Sequence, residues 1–165
     1  MRKKIYLLIS ITACLFYFGC SNSDAQVEFE NQAYSIPQNI TETDFQGNIV
    51  RPDSDDWRIS PVYVGLAEIE FPAFPNPVDW GNSFEFTVDL RGAISSFVEV
   101  YYFNTTFAEV PQFLDRQNIT GDFENLVFRL DTEQFGGADR ARGIHRILIF
   151  DGNQRMISYG DLLIE

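Results

Sequence analysis

Alternation of apolar and polar residues marks the strands of this chain. In residues 84–90 the apolar positions are Phe84, Phe86, Val88 and Leu90, and the polar positions between them are Glu85, Thr87 and Asp89. A period of two predicts a strand with one buried face and one face toward water. Three prolines precede it, at positions 72, 75 and 77. Because proline cannot donate to a strand ladder, they indicate where the chain enters the sheet.

The same pattern predicts strands elsewhere in the chain. These are residues 62–71, 97–103, 126–130, 144–150 and 154–159, with 162–164 completing the last one. In the first of them, Tyr63, Ala67, Ile69 and Phe71 share one predicted face. Asp151-Gly152-Asn153 lies between two of these segments and is typical of a hairpin turn. Residues 104–120 are ambiguous, with an edge strand at 107–110 followed by a long loop.

About seven short strands and no convincing amphipathic helix predict an all-β fold. The expected architecture is an antiparallel β-sandwich of the immunoglobulin-like or fibronectin-like type. We assign residues 61–165 to this domain. Residues 20–60 form a tether and an irregular segment, which is expected to lie along the domain. Its expected apolar anchors are Phe29, Tyr34, Phe45 and Trp57.

The predicted strand 97–103 carries aromatic residues on both faces. Its inward side chains are Val98, Val100 and Tyr102, which leaves Phe97, Tyr101 and Phe103 beside Glu99 on the other face. Large exposed apolar patches usually mark interfaces. These three aromatic residues are therefore the candidate partner-binding site, for an envelope protein or for a second copy of the chain. The alternative is that segment 26–60 folds over this face and buries it.

The N-terminus has the pattern of a lipoprotein signal peptide. Arg2, Lys3 and Lys4 precede an apolar run from Ile5 to Phe18, which is too short to span a bilayer and suits a secretory signal. Gly19-Cys20 at its end resembles a bacterial lipobox. That resemblance implies removal of residues 1–19, acylation of Cys20 and anchoring to a membrane through several acyl chains.

The residue after this cysteine indicates which membrane the protein is anchored to. Ser21 is not the aspartate that resembles an inner-membrane retention signal, which favours the outer membrane and leaves the leaflet open.

The charge of the chain excludes one class of partner. The formal net charge is −12. Without residues 1–19, nine arginines and no lysine face 24 acidic residues, so the charge becomes −15. Such a surface repels nucleic acid. Only Cys20 remains after processing, which excludes an internal disulfide and a cysteine-based zinc site.

Short motifs in the second half resemble a known family. They are Pro-Asn-Pro at 75–77, Val-Glu-Val-Tyr at 98–101, Phe-Arg-Leu-Asp at 128–131 and Gly-Ile-His-Arg-Ile-Leu-Ile at 143–149. Together, residues 72–165 resemble the immunoglobulin-like C-terminal domain of proteins exported by the Bacteroidota type IX secretion system. That resemblance implies the same fold and, as an alternative function, a sorting role. Residues 40–61 resemble a segment of small envelope lipoproteins from that phylum.

Residues suited to catalysis lack the context that catalysis needs. His145 is the only histidine, and no serine lies in a nucleophile elbow. We expect His145 to be a hydrogen-bonded core residue beside Ile147 and Ile149. Glu68 and Glu70 share a strand face, as glycosidase carboxylates can, yet any solvent face produces such a pair. We therefore expect no enzyme activity.

Two weaker binding hypotheses remain. Asp53, Asp55 and Asp56 lie in a loop rich in the oxygen ligands that Ca²⁺ prefers, although the loop does not match an EF-hand. Without such a structural Ca²⁺, no cofactor is expected. Trp57 and Trp80 are suited to stacking on sugar rings, or else to packing over the end of the core.

These observations favour a small outer-membrane lipoprotein that serves as a non-catalytic binding or assembly module. The alternatives are a type IX sorting domain and a glycan-binding accessory lipoprotein.

Overall fold

The computed structural model describes residues 20–92, 95–103 and 110–165, with side chains from Asp24 onward. The predicted signal peptide lies outside these residues. The strands are β1 (Glu42–Thr43), β2 (Ile49–Arg51), β3 (Arg58–Ile59), β4 (Ala67–Phe74), β5 (Ser83–Arg91), β6 (Phe97–Phe103), β7 (Gln112–Asn118), β8 (Phe123–Asp131), β9 (Gly143–Asp151) and β10 (Met156–Ile164). The helices are α1 (Cys20–Ala33) and α2 (Ala138–Ala141), with 3₁₀ turns at Pro61–Tyr63 and Thr132–Phe135.

The strands form two packed antiparallel sheets and a small hairpin. One sheet has the order β3-β10-β9-β6-β7, the other has the order β4-β5-β8, and β1 pairs with β2. The seven long strands β4–β10 confirm the predicted all-β sandwich. The predicted hairpin is confirmed as well, because β9 and β10 pair from Gly143↔Ile164 to Phe150↔Met156 around the turn at Asp151.

The core lies between the two sheets and follows the predicted alternation. The fully buried residues of β5 are Phe84, Phe86, Val88 and Leu90. From the facing sheet, Val98, Val100 and Tyr102 of β6 point into the same core, as predicted. The Phe86 ring stacks 5.0 Å from the Phe128 ring, measured between centroids, and lies 5.4 Å from the Trp57 ring. Phe86 is therefore enclosed by aromatic rings on both sides.

The outer face of the smaller sheet differs from the prediction at one position. Thr87 points away from the core, yet only 5% of its surface is exposed. Its cross-strand neighbours are Phe71 on β4 and Val127 on β8, and both have large side chains. The alternation identified the correct face of β5, but it did not account for cover from these neighbours.

Strand β4 begins later than predicted, because Tyr63 belongs to a 3₁₀ turn. Its pairing with β5 shifts register on both sides of Phe71. Each irregularity changes which side chains face the core, so Phe71 is exposed while Pro72 and Ala73 are buried. The prediction that Phe71 shares one face with Ala67 was therefore wrong.

Strand β7 lies where the sequence predicted a loop. It occupies the edge of the larger sheet and pairs only with β6 among the described strands. Only Leu114 of this strand is buried, so its sequence shows no alternation. The edge strand predicted at 107–110 falls almost entirely outside the described residues.

Helix α1 was not predicted either. Among its described side chains, from Asp24 onward, Phe29 and Ala33 are the buried ones, and their spacing of four gives an apolar stripe only one turn long. Two exposed side-chain pairs also bridge successive turns: Gln26 donates to Glu30 and Gln32 donates to Glu28. Packing on the larger sheet supplies what the local sequence pattern lacks.

Trp57 fastens the N-terminal segment to the last strand. Its ring lies flat on Gly160 of β10, where an added Cβ would sit 2.2 Å from Cδ2 and Cε2 of the indole. Glycine is thus required at position 160 by close approach. Of the four predicted anchors, Phe29 and Trp57 are buried, whereas Tyr34 and Phe45 are 47% and 80% exposed.

Candidate functional site

The three predicted partner-binding residues lie on the outer face of the larger sheet. Phe97, Tyr101 and Phe103 are all half-buried there, beside Phe113 of β7 and Phe150 of β9. The Tyr101 ring makes edge contacts with Phe113 and Phe150 at centroid distances of 5.6 and 5.7 Å. We call these five side chains the aromatic strip. The sequence analysis missed Phe113 and Phe150, because each comes from a different strand.

Helix α1 covers the part of this face next to the aromatic strip. A second apolar cluster forms beneath it, made of Phe29, Ala33, Leu148, Met156 and Tyr159. The Phe29 and Tyr159 centroids are 4.9 Å apart. The ring of Tyr34, just after the helix, is nearly perpendicular to that of Phe103, and their centroids are 6.4 Å apart. The N-terminal segment therefore buries the β9–β10 half of the face and leaves Phe113 54% exposed. Partner binding at the strip stays a prediction.

Polar groups border the aromatic strip. Glu99 accepts hydrogen bonds from the Tyr101 hydroxyl at 3.0 Å and from Nε2 of Gln154 at 2.9 Å. The guanidinium of Arg116 lies 3.4 Å from the Phe97 ring centroid and 3.9 Å from Glu99. Burial raises the pKa of Tyr101, and its bond to Glu99 raises it further. The strip is thus bordered by a hydrogen-bonded carboxylate and by an arginine, and a polar rim around apolar side chains is typical of protein interfaces.

A buried ion pair holds α1 in place. Arg146 of β9 pairs with Asp161 of β10 at 2.5 Å (Nε–Oδ1) and 3.0 Å (Nη2–Oδ2), and both side chains are more than 90% buried. Nη1 of Arg146 also donates to the carbonyls of Gln32 and Ala33 at 2.9 and 3.2 Å. These are terminal carbonyls without a partner inside the helix, so the arginine caps α1.

The three aspartates of the predicted calcium loop differ in burial and in hydrogen-bond partners. Asp56 is 7% exposed, and its carboxylate accepts from the backbone N–H of Thr41 at 2.8 Å and of Asp161 at 2.5 Å. Burial, followed by the charge of Asp161, raises the pKa of Asp56 to about 7. Burial also raises the pKa of Asp161, despite its pairing with Arg146.

The other two aspartates of this loop lie nearer the surface. Asp53 is half-buried and Asp55 is exposed. Across residues 20–92, 95–103 and 110–165, no three histidine, cysteine or acidic side chains are arranged to hold a metal ion. The three aspartates therefore do not form one ligand set.

Cys20 is the first residue of α1. Its acylation remains an expectation from the sequence. In the part of the chain that the structure describes, no helix is long and apolar enough to cross a membrane.

The candidate catalytic residues take structural positions. His145 is fully buried, as predicted, with Nε2 2.5 Å from the Ala141 carbonyl and its ring 4.9 Å from that of Phe135. Burial lowers the pKa of His145. Glu68 pairs with Arg91, and Glu70 accepts from Asn125.

The two tryptophans differ in exposure. Trp57 is buried in the core, which removes it as a sugar-stacking platform. Trp80 is 37% exposed, and its Nε1 donates to the Gly136 carbonyl at 3.4 Å.

A surface cavity of about 540 Å³ was missed by the sequence analysis. It lies at the end of the sandwich where β5 begins and β8 and β10 end, and Phe45, Pro77, Glu85 and Arg129 are among its lining residues. Glu85 and Arg129 pair with each other. The prolines were interpreted only as the place where the chain enters the sheet, and no local pattern indicates a cavity between separate strands.

Comparisons with known proteins give no family for this chain. No family model and no curated protein matches it. Among solved structures, a β-glucosidase from Listeria innocua in complex with isofagomine is 16% identical over 59% of this chain and 16% of its own, with a TM-score of 0.42. The β-glucosidase EmGH1 from Erythrobacter marinus is 15% identical over 57% and 14%, with a TM-score of 0.44.

A superoxide reductase (neelaredoxin) from Ignicoccus hospitalis is 14% identical over 60% of this chain and 80% of its own, with a TM-score of 0.37. The chain thus spans about a sixth of the length of the glucosidases, and similarity at this level says nothing about its activity.

Proposed function

We propose that the protein is an outer-membrane lipoprotein, anchored through acylated Cys20, that binds a protein partner without catalysing a reaction. The observation that carries this proposal is the aromatic strip, which packs in part against the cluster beneath α1 and still leaves Phe113 exposed. Tyrosine, phenylalanine and arginine are enriched at interfaces. The two aromatic residues supply large contact area with few rotatable bonds. The partner is an envelope protein or a second copy of the chain.

Two further observations support a non-catalytic role and an anchored domain. The one histidine of the chain packs in the core, which leaves no exposed imidazole for acid–base or nucleophilic chemistry. The helix that follows Cys20 docks directly on the sandwich through Phe29 and the Arg146 cap. An acyl anchor at Cys20 would therefore be attached to a fixed element of the domain.

The anchor is tested by metabolic labelling. Cells that express the wild-type chain and are fed labelled palmitate are expected to yield labelled, processed protein, because the lipobox-like Gly19-Cys20 directs acylation. The Cys20→Ser variant is expected to stay unlabelled and unprocessed. Equal labelling of the two proteins would overturn the lipoprotein proposal.

The partner surface is tested by a double substitution. Tyr101→Ala with Phe103→Ala is expected to abolish recovery of the cross-linked partner or dimer from membranes, because it removes the centre of the aromatic strip. Phe45→Ala serves as control, since Phe45 is 80% exposed in the β1–β2 turn away from the strip. Recovery is measured beside the melting temperature. A large loss of stability with recovery intact would assign these rings to packing against α1 instead.

A further inference from the structure

One loop at an end of the sandwich is apolar, exposed and free of charge. It comprises residues Pro61–Leu66, with the sequence PVYVGL. Val62, Val64 and Leu66 are exposed by 47%, 72% and 43%. In a chain with a net charge of −12, these three exposed aliphatic side chains lie within five residues and form a small apolar patch with no charge among them.

The loop is fixed from the inside, so this exposure is built into the fold. Tyr63 is 5% exposed, and its hydroxyl donates to Oδ2 of Asp151 in the β9–β10 turn at 2.7 Å. The N–H of Leu66 donates to the Tyr63 carbonyl, and the carbonyl of Leu66 accepts from the N–H of Arg91, both at 2.8 Å. With Tyr63 held inward, its neighbours Val62 and Val64 remain at the surface.

The N-terminal half of helix α1, which begins at Cys20, lies next to this loop. The C-terminal end of the helix lies over Arg146, whereas Gln26, nearer its start, accepts a hydrogen bond from the Ser60 hydroxyl at 2.7 Å. Ser60 directly precedes the loop. Cys20 is six residues before Gln26, which is about 9 Å along a helix axis. The first residues of α1 therefore extend beyond Gln26, at the end of the sandwich that carries the loop.

We propose that the Pro61–Leu66 loop inserts into the interfacial layer of a zwitterionic lipid membrane beside the acylated Cys20. The inference rests on the proposed acylation of this cysteine. An uncharged aliphatic loop suits the boundary between headgroups and acyl chains, which lies about 5–10 Å deep. The acidic residues of the rest of the chain are repelled by anionic lipid, so the contact is with neutral headgroups.

The small size of the loop favours lipid over protein as its occupant. A stable protein interface buries about 800 Å² on each partner, far more than three aliphatic side chains offer. Lipid requires no complementary surface, and the acyl anchor already holds the loop at high local concentration. With this end on the membrane, the aromatic strip faces sideways and stays open to a partner.

Fluorescence quenching in vesicles tests the proposal. The full chain is isolated from membranes, labelled with a polar fluorophore at Val64→Cys and reconstituted in phosphatidylcholine vesicles that carry a nitroxide near the headgroup end of the acyl chain. Val110→Cys is the matched control, since Val110 is 71% exposed and precedes β7. It lies at the opposite end of the larger sheet, because β7 begins opposite Tyr102, whereas Val98 pairs with Asp151.

The label at position 64 is expected to be quenched at least threefold more than the label at position 110. Equal quenching at the two positions would overturn the membrane contact while leaving the anchor intact. Shielding of position 64 in native membranes without quenching in pure lipid would assign the loop to a protein instead. Mass spectrometry measures the acylation of Cys20 independently of the quenching. A free thiol at Cys20 would overturn both the proposed function and this inference.

Discussion

Phe86→Ala is expected to lower the free energy of unfolding by about 3–5 kcal/mol. The Phe86 side chain is fully buried between the Phe128 ring and the Trp57 ring. Its removal forfeits the transfer free energy of the ring and leaves a cavity that these rigid neighbours cannot fill. Urea unfolding at constant temperature measures the loss as a lower midpoint with an unchanged slope.

Phe123→Ala provides the matched control for that experiment. Phe123 is 78% exposed at the start of β8, so the same chemical change is expected to alter the free energy of unfolding by no more than about 0.5 kcal/mol. Similar losses for the two variants would contradict the register in which β5 packs its phenylalanines inward.

Arg146→Met is expected to lower the free energy of unfolding by about 3–5 kcal/mol at pH 8, because it leaves the buried charge of Asp161 without its partner. The substitution also removes the cap from the last carbonyls of α1. The helix and its buried Phe29 should therefore become more accessible than the rest of the core. Denaturant unfolding measures the first effect, and amide hydrogen exchange in residues 24–33 measures the second.

A double substitution separates the charge from the packing in this case. Arg146→Met combined with Asp161→Leu removes both charges, and we expect it to recover most of the lost stability. The backbone N–H of Asp161, which binds Asp56, is retained in both variants. If the double variant were as unstable as the sum of the two single ones, the ion pair would not be what stabilises this region.

The sequence predicted strands of two kinds. Strands β5 and β8 alternate because one face meets the core and the other is mostly polar. Strands β6, β9 and β10 are apolar on both faces, and their continuous apolar character predicted them. Strand β7 lacks the pattern, since it places only Leu114 in the core at a sheet edge. Helix α1 lacks it too, because its stability comes from Arg146 and Tyr159, which are more than 110 residues away in the chain. Contacts at such separation leave no periodic trace in a local segment.

The candidate site shows the same limit. Alternation in β6 correctly placed Phe97, Tyr101 and Phe103 on one outer face. It could not show that α1 covers the neighbouring half, or that Phe113 and Phe150 join the strip from other strands. The three loop aspartates likewise look equivalent in sequence. Only the fold brings Asp56 against Asp161, 105 residues further along the chain, and buries it.

The buried carboxyl of Asp56 makes folding a proton-uptake reaction. Its pKa is about 7 in the folded chain against 3.8 for a free side chain, so the folded state binds more protons between these two values. Stability is therefore highest below about pH 4 as far as this group is concerned, and it declines as the pH rises toward 7, by about 4 kcal/mol in total. At neutral pH the cost of burying this charge therefore lowers the free energy of unfolding, and mild acidification, which protonates the carboxylate, raises it.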